Sequence, residues 1–322
     1  MASAPLDVTD TPIDAGGGNG ATIRLQNVTR WYGGVVAVND ISFDLRPGIS
    51  GILGPNGAGK STLLHLISGF LQPSSGDVSI FGASPWGNPD LFSRIGLVPE
   101  NEAVYPFLSA WDFALMSARL HKLPNPEKAA AQAIQRVEME AAQDRKMGGY
   151  SKGMRQRAKI AASLVHDPEV LILDEPFNGT DPRLRLHLME MLRDLAAEGR
   201  TIVFSSHILE EVERLAEEVL VILNGRLAAA GNFHQIRRLM TDRPHVFTLR
   251  SSDDRLLASQ LFREPYVAAV AINDGGLEVR TDDFNAFTAA IASLTRAAGV
   301  TLQELRPADE SLESVFSYLV RG

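Results

Sequence analysis

The sequence predicts an α/β protein: a mainly parallel sheet with helices on its faces, followed by a smaller α+β unit. Three observations carry this expectation. Short apolar runs at 170–173 and 201–204 have the texture of strands buried on both faces, and helical periodicity fills residues 182–198 between them. A glycine-rich turn at 54–61 separates the apolar run 49–53 from a stretch with Leu63, Leu64 and Ile67 at helical spacing, so strand, turn and helix follow in order. Beyond Arg238 the alternation becomes strand, helix, strand, strand, helix, strand, the order of a βαββαβ unit.

Along the chain, residues 22–45 read as two strands around Gly33-Gly34, with Ile23, Leu25 and Val28 on the first and the runs 35–38 and 41–45 on the second. The helical period dominates 106–165, first through Trp111, Ala114, Leu115, Ala118 and Leu120, then in an Ala-rich polar helix after Pro126. In the C-terminal part, strands are expected at 245–249, 267–272, 277–280 and 301–305, helices at 254–262 and 283–297, and a closing helix at 312–319. The expected organisation is a flexible tail at 1–21, a large domain at 22–240 with a helical part near 100–165, and an accessory domain at 245–322, divided at 241–244. There is no internal repeat of useful period.

Composition narrows the function classes. With 322 residues, 45% apolar and 22% charged, the chain can bury a sizeable core, and disorder is excluded as its main description. A net charge of -8 argues against nucleic-acid binding as the main activity, because phosphate-backbone binders usually present a basic surface. The chain has no cysteine, so it has neither a disulfide framework nor a thiolate metal site, and this fits a reducing compartment. Residues 1–21 lack a basic segment followed by an apolar stretch, and the longest apolar runs, such as 219–223, fall far below the ~18 residues needed to cross a bilayer. Any membrane role is expected to be peripheral.

The chemistry starts at the glycine-rich turn. Gly54-Pro55-Asn56-Gly57-Ala58-Gly59-Lys60-Ser61-Thr62 fits the phosphate-loop pattern G-x-x-x-x-G-K-[ST], in the strand-to-helix context that pattern needs. Backbone N–H groups from Asn56 to Thr62 can wrap a phosphate, the helix N-terminus adds positive potential, Lys60 offsets β/γ charge, and Ser61 can place a hydroxyl on Mg²⁺. At the end of the apolar strand 170–173 stand Asp174 and Glu175. Asp174 can hold Mg²⁺ directly or through water, and Glu175 can orient or deprotonate a water that attacks a γ-phosphate. Ser205-Ser206-His207 follow the strand 201–204 and so emerge at the same sheet edge, where His207 can reach that phosphate.

Taken together these residues resemble the ATP-binding subunits of ABC transporters, over roughly residues 22–240 and in that family's order. The discriminating segment is Tyr150-Ser151-Lys152-Gly153-Met154-Arg155-Gln156-Arg157, just upstream of the Asp174-Glu175 strand, where the family carries its signature. The resemblance implies a P-loop ATPase with an antiparallel β subdomain and a helical subdomain. It also implies that Ser151 and Gly153 touch the γ-phosphate of ATP held by a second protomer, so that two sites form only in a dimer. A serine N-cap on the following helix explains Ser151 equally well. Tyr32 stands where the family stacks an aromatic on adenine, with Trp31 as a neighbouring substitute and a core aromatic as the competing reading. Asn178-Gly179-Thr180-Asp181 resembles the loop that crosses the dimer interface, and Asp181 before Pro182 also fits an ordinary helix N-cap.

Two departures limit what can be carried over. The common signature Leu-Ser-Gly-Gly-Gln is here Tyr150-Ser151-Lys152-Gly153-Met154, and the usual glutamine after the third strand is Glu100, which can still ligate Mg²⁺. These variants, with the C-terminal Leu312-Glu313-Ser314-Val315-Phe316, resemble the exporter branch that handles drugs or polysaccharides. The implied cofactors are ATP and Mg²⁺. The implied partners are a membrane-spanning permease subunit and a second ATPase protomer, identical or different, with the chain held peripherally on the cytoplasmic face of the membrane. The apolar run 103–108 fits either a permease docking wall or packing of the helical part. A soluble ATPase of the same type acting on ribosomes or DNA is the competing function; the chain lacks the second module with a basic linker, and the long coiled coil, that such relatives carry. A nucleotide switch without hydrolysis is disfavoured by the presence of both Glu175 and His207.

Overall fold

A computed structural model describes residues 20–101, 104–232, 245–273 and 276–307 of the chain. The chain divides into two compact units, Met1–Asn232 and Phe233–Gly322. Most of the expected tail, the expected boundary at 241–244 and the closing helix at 312–319 lie outside the described residues.

The first unit is built on two sheets. An antiparallel sheet has the order β2-β1-β4, with β1 (Ile23–Tyr32), β2 (Val35–Leu45) and β4 (Ser75–Ile80). Its inward residues Ile23, Leu25, Val28, Ile41, Leu45 and Ile80 are buried. Six strands form the central sheet: β5 (Ile95–Val98), β6 (Val170–Leu173), β7 (Thr201–Ser206), β3 (Gly48–Leu53), β8 (Glu218–Leu223) and β9 (Arg226–Gly231), in that spatial order. All neighbours are parallel except β8 and β9, a hairpin turned by Asn224 and Gly225 at φ 48° and 76°. An Asn-Gly pair suits two consecutive positive φ values. Because β3, β6 and β7 run the same way, the segments that follow them leave the sheet at one edge, the place where sheets of this kind bind ligands.

Helix α1 (Lys60–Ile67) leaves the end of β3 and buries Leu63, Leu64, Leu66 and Ile67 in a single apolar cluster that also takes residues from both sheets. After the short α2 (Pro89–Phe92), helices α3 (Ala110–Leu120), α4 (Pro126–Arg136) and α5 (Lys152–Leu164) pack on one another. Ser109 and Asp112 close a capping box on α3, Asp112 N–H to Ser109 Oγ at 3.0 Å and Ser109 N–H to Asp112 Oδ2 at 3.1 Å. Helix α6 (Pro182–Ala197) crosses between β6 and β7, and α7 (Leu209–Leu215) follows β7.

The second unit alternates β10 (His245–Ser251), α8 (Asp254–Leu261), β11 (Val267–Asn273), β12 (Gly276–Thr281), α9 (Phe284–Ala297) and β13 (Leu302–Pro307). Its strands form an antiparallel sheet of order β11-β12-β10-β13. Phe247, Leu249, Leu277 and Val279 pack against Leu257, Leu261, Phe287 and Ile291 of the helices. Among the described residues, no helix is long and apolar enough to cross a membrane.

Candidate functional site

Three sheet-edge segments meet in one buried charge cluster. Lys60, only 6% exposed, donates from Nζ to the carbonyls of Gly54 (2.8 Å) and Pro55 (3.3 Å) and lies 3.6 Å from Glu175 Oε1. Glu175 Oε2 is 2.9 Å from His207 Nδ1, so this carboxylate is held between an ammonium from the end of β3 and an imidazole from the end of β7. Glu175 is 6% exposed and Asp174 2%. A buried carboxylate without partners would be strongly disfavoured; here both have them.

Ser205, fully buried at the end of β7, is the residue that sequence reasoning passes over. Its Oγ donates to Asp174 Oδ1 at 2.5 Å and accepts the Glu175 N–H at 2.9 Å. One hydroxyl thus spends its proton on one carboxylate and a lone pair on the backbone of the next. The second bond matters because Glu175 has φ +49°, in the left-handed region where a side chain with a Cβ is strained. A serine directly after a buried strand, two residues before a histidine, is the available signal. Ser206 fixes the adjoining turn: it accepts the Ile208 N–H at 3.0 Å and donates to Glu211 Oε2 at 2.7 Å. Burial pushes the Glu211 carboxyl up, against the opposing effects of Ser206 and Arg185.

The loop preceding α1 has an open rim at Pro55, Asn56 and Gly57 and a buried base at Ala58 and Lys60. Gly57 has φ +81° and open space where a Cβ would stand. Gly59, at φ +103°, is also pressed from outside: a Cβ there would come within 2.3 Å of the Ala37 carbonyl oxygen. Ser61 and Thr62 open α1 and are half-buried. The rim, the buried ammonium and the paired carboxylates fit a polyphosphate with its charge directed into the loop. Among the described residues no three His, Asp or Glu side chains converge as a metal cage.

The remaining predicted residues sit in two other places. Tyr32, the last residue of β1, and Trp31 are 44% and 45% exposed, and the Arg30 guanidinium lies 4.8 Å from the Tyr32 ring centroid. The core-aromatic reading of Tyr32 is therefore excluded. Ser151 caps α5, accepting the Met154 N–H at 3.3 Å, and Asp181 caps α6, accepting the Leu184 N–H at 3.0 Å. Buried Gly153 packs so closely that a Cβ would be 3.3 Å from the Gly179 carbonyl oxygen, and Lys152 lays its stem across Gly179 and donates to Asn178 Oδ1 at 3.2 Å. Glu100 is exposed on the loop after β5.

The comparisons agree with this geometry. A sequence profile of ABC transporters matches residues 38–178. The bacitracin transport ATP-binding protein BcrA of Enterococcus faecalis is 31% identical over 93% of this chain and 96% of its own length. The Nod factor export ATP-binding protein I of Burkholderia orbicola is 37% identical over 67% of this chain and 72% of its own. A solved ATP-binding subunit of an ABC transporter superposes with a TM-score of 0.63 at 28% identity, over 68% of this chain and 92% of that one. The phosphate loop, the paired carboxylates and these likenesses agree that the chain belongs to the ATP-binding, ATP-hydrolysing subunits of ABC transporters.

Proposed function

We propose that the chain powers an exporter: two ATPase protomers close on ATP beneath a membrane-spanning permease and reopen after hydrolysis. The observation that carries the hydrolytic half is Glu175, buried and fixed from three sides by Lys60, His207 and the Ser205 hydroxyl. Residues 22–240 form the ATPase domain in this reading, with 100–165 as its helical part and 245–322 as an accessory domain. Export is supported by the relatives named for export of Nod factor and transport of bacitracin.

Bound ATP supplies a phosphoanhydride whose γ-phosphoryl group passes in line to water. The chain's own residues do the positioning. Tyr32 stacks on the base, and N–H groups from Asn56 to Thr62 with the N-terminus of α1 bind the phosphates. Lys60 neutralises β/γ charge. Ser61, Asp174 and Glu100 would hold Mg²⁺. Glu175 accepts the water proton on its carboxylate, and His207, through Nδ1, keeps that carboxylate turned to the water. Ser151, Gly153 and Asp181 face the second protomer, whose ATP they would close over. The capping bonds of Ser151 and Asp181 and that interface role are compatible, since a capped helix N-terminus still attracts anions.

The permease surface is read at Tyr105 and Phe107, both exposed on the loop before α3, with their ring centroids 5.9 Å apart. Phe107→Glu is expected to weaken copurification with the permease while nucleotide binding stays intact; unchanged copurification removes this assignment.

The test of the whole reading is Glu175→Gln. With ATP and Mg²⁺, light scattering should show a monomer becoming a dimer while hydrolysis falls to background, and ADP should give no dimer. ATP binding without a dimer would require a different ATPase chain as partner, and a turnover close to that of the parent would remove Glu175 from the mechanism.

A further inference from the structure

A buried lysine needs a reason, because its ammonium loses water on entering the fold. Lys159 lies two turns into α5, the helix that Ser151 caps, and is 6% exposed. Its Nζ donates to the carbonyl of Pro99 at 2.7 Å and to that of Asn101 at 2.8 Å. Those two carbonyls flank Glu100. The loop leaving β5 is therefore clipped to the helix that carries the signature, across 60 and 58 residues of sequence. The charge pattern is complementary as well: a carboxylate stands at position 100, and a cation sits behind the backbone that presents it.

We propose that Lys159 is a positioning residue for the metal side of the site, holding the Glu100 loop to α5 so that Glu100 and Ser151 are carried as one body. This rests on Glu100 being a metal ligand. The loop is also tied farther on, where the carbonyls of Pro106 and Leu108 accept the N–H groups of Gly148 and Met147 at 2.9 and 2.8 Å just ahead of the signature, but the clip acts directly on either side of Glu100. With it, any shift of α5 that brings Ser151 toward a partner's nucleotide moves Glu100 at the same time. A hydrogen bond made behind a ligand holds its orientation without touching the metal.

Lys159→Met keeps the length of the stem and removes the donors, Lys159→Arg keeps a cation with donors, and Glu100→Ala, which removes the ligand oxygens, is the reference; all are made in the full chain. Free Mg²⁺ is titrated against binding of a fluorescent ATP analogue, which reads affinity and not turnover, and backbone amide exchange is followed at Glu100 and Asn101. Lys159→Met should need about tenfold more Mg²⁺ for half-maximal tightening of the nucleotide, with binding in EDTA unchanged. Its Glu100 and Asn101 amides should exchange faster, Lys159→Arg should recover most of both effects, and the double variant should need no more Mg²⁺ than Glu100→Ala alone. A shifted Glu100→Ala beside an unshifted Lys159→Met, or shifts that add in the double variant, would overturn the positioning role alone. A Glu100→Ala chain with the parent's Mg²⁺ requirement would overturn the ligand reading of Glu100 and this role with it. Lys159→Leu, which also lacks a donor, carries the same comparison if Lys159→Met folds poorly.

Discussion

Ser205→Ala is the sharpest single probe of the site, because one oxygen atom serves both carboxylate positions. Its loss leaves the Glu175 N–H and Asp174 Oδ1 without the partners they have at 2.9 and 2.5 Å, in a place where Ser205 is fully buried. A buried polar group left unpaired costs about 1–3 kcal/mol, so the two together amount to about 2–4 kcal/mol, allowing for partial relaxation. The bond to the Glu175 N–H also opposes the strain of φ +49° at that residue, so its removal lets the carboxylate drift from Lys60 and His207. A displacement near an ångström at a reacting group costs on the order of a hundredfold in rate. Nucleotide affinity should change little, since Gly57, Gly59 and Lys60 are untouched. The assay pairs steady-state ATP hydrolysis with nucleotide affinity and a denaturant midpoint. A variant that keeps its kcat within about twofold and its midpoint unchanged refutes the reasoning, because desolvation penalties of that size at two buried groups could not then exist.

Three further substitutions test neighbouring parts of the argument. Lys60→Ala removes the buried ammonium 3.6 Å from Glu175 and should lower nucleotide affinity about a hundredfold by calorimetry; a loss under about threefold would show that the loop backbone does the binding. His166, stacked on His121 with ring centroids 3.8 Å apart, has its pKa lowered to about 4, by burial first and by His121 second. The fold therefore favours the neutral ring, so stability is complete above pH 6.5 and is lost as pH falls toward 4, by about 1–2 kcal/mol after allowing for the partly exposed ring; His166→Gln should flatten unfolding curves measured across that window. Ser109→Ala breaks the capping box of α3 and should cost about 1 kcal/mol in denaturant unfolding, and no change would show that Asp112 alone suffices.

What the sequence reveals and what it conceals follow from the range of the interactions. The phosphate loop, Asp174, Glu175 and His207 are legible because each is a local motif at the end of an apolar strand, and parallel strands deliver their ends to one edge. The alternation of the C-terminal unit is legible for the same reason, and Asp253 and Asp283 cap its helices in the structure. Strands β4 and β5 escape a reading of the sequence: one is a short run, SGDVSI, whose partner lies far back in the chain, and the other has only four residues. The Asn224-Gly225 pair is a turn signal for the β8–β9 hairpin, but the short β9, Arg226–Gly231, carries too little alternation to be drawn as a strand from the sequence. Ser205 and Lys159 cannot be assigned from spacing, since their meaning depends on residues about thirty and sixty positions away.

Gly57 and Gly59 stand two residues apart in one motif, yet different demands require them. Nothing in the fold touches the place where a Cβ of Gly57 would be, so only its dihedral angle and the approach of a ligand argue for glycine there. Gly59 would drive a methyl group into the Ala37 carbonyl with or without a ligand, so the neighbouring strand dictates it. The spelling of the phosphate loop is therefore part recognition and part masonry. A descendant released from nucleotide binding would be free to change Gly57 long before Gly59, and its motif would erode from the rim inward while the fold persisted.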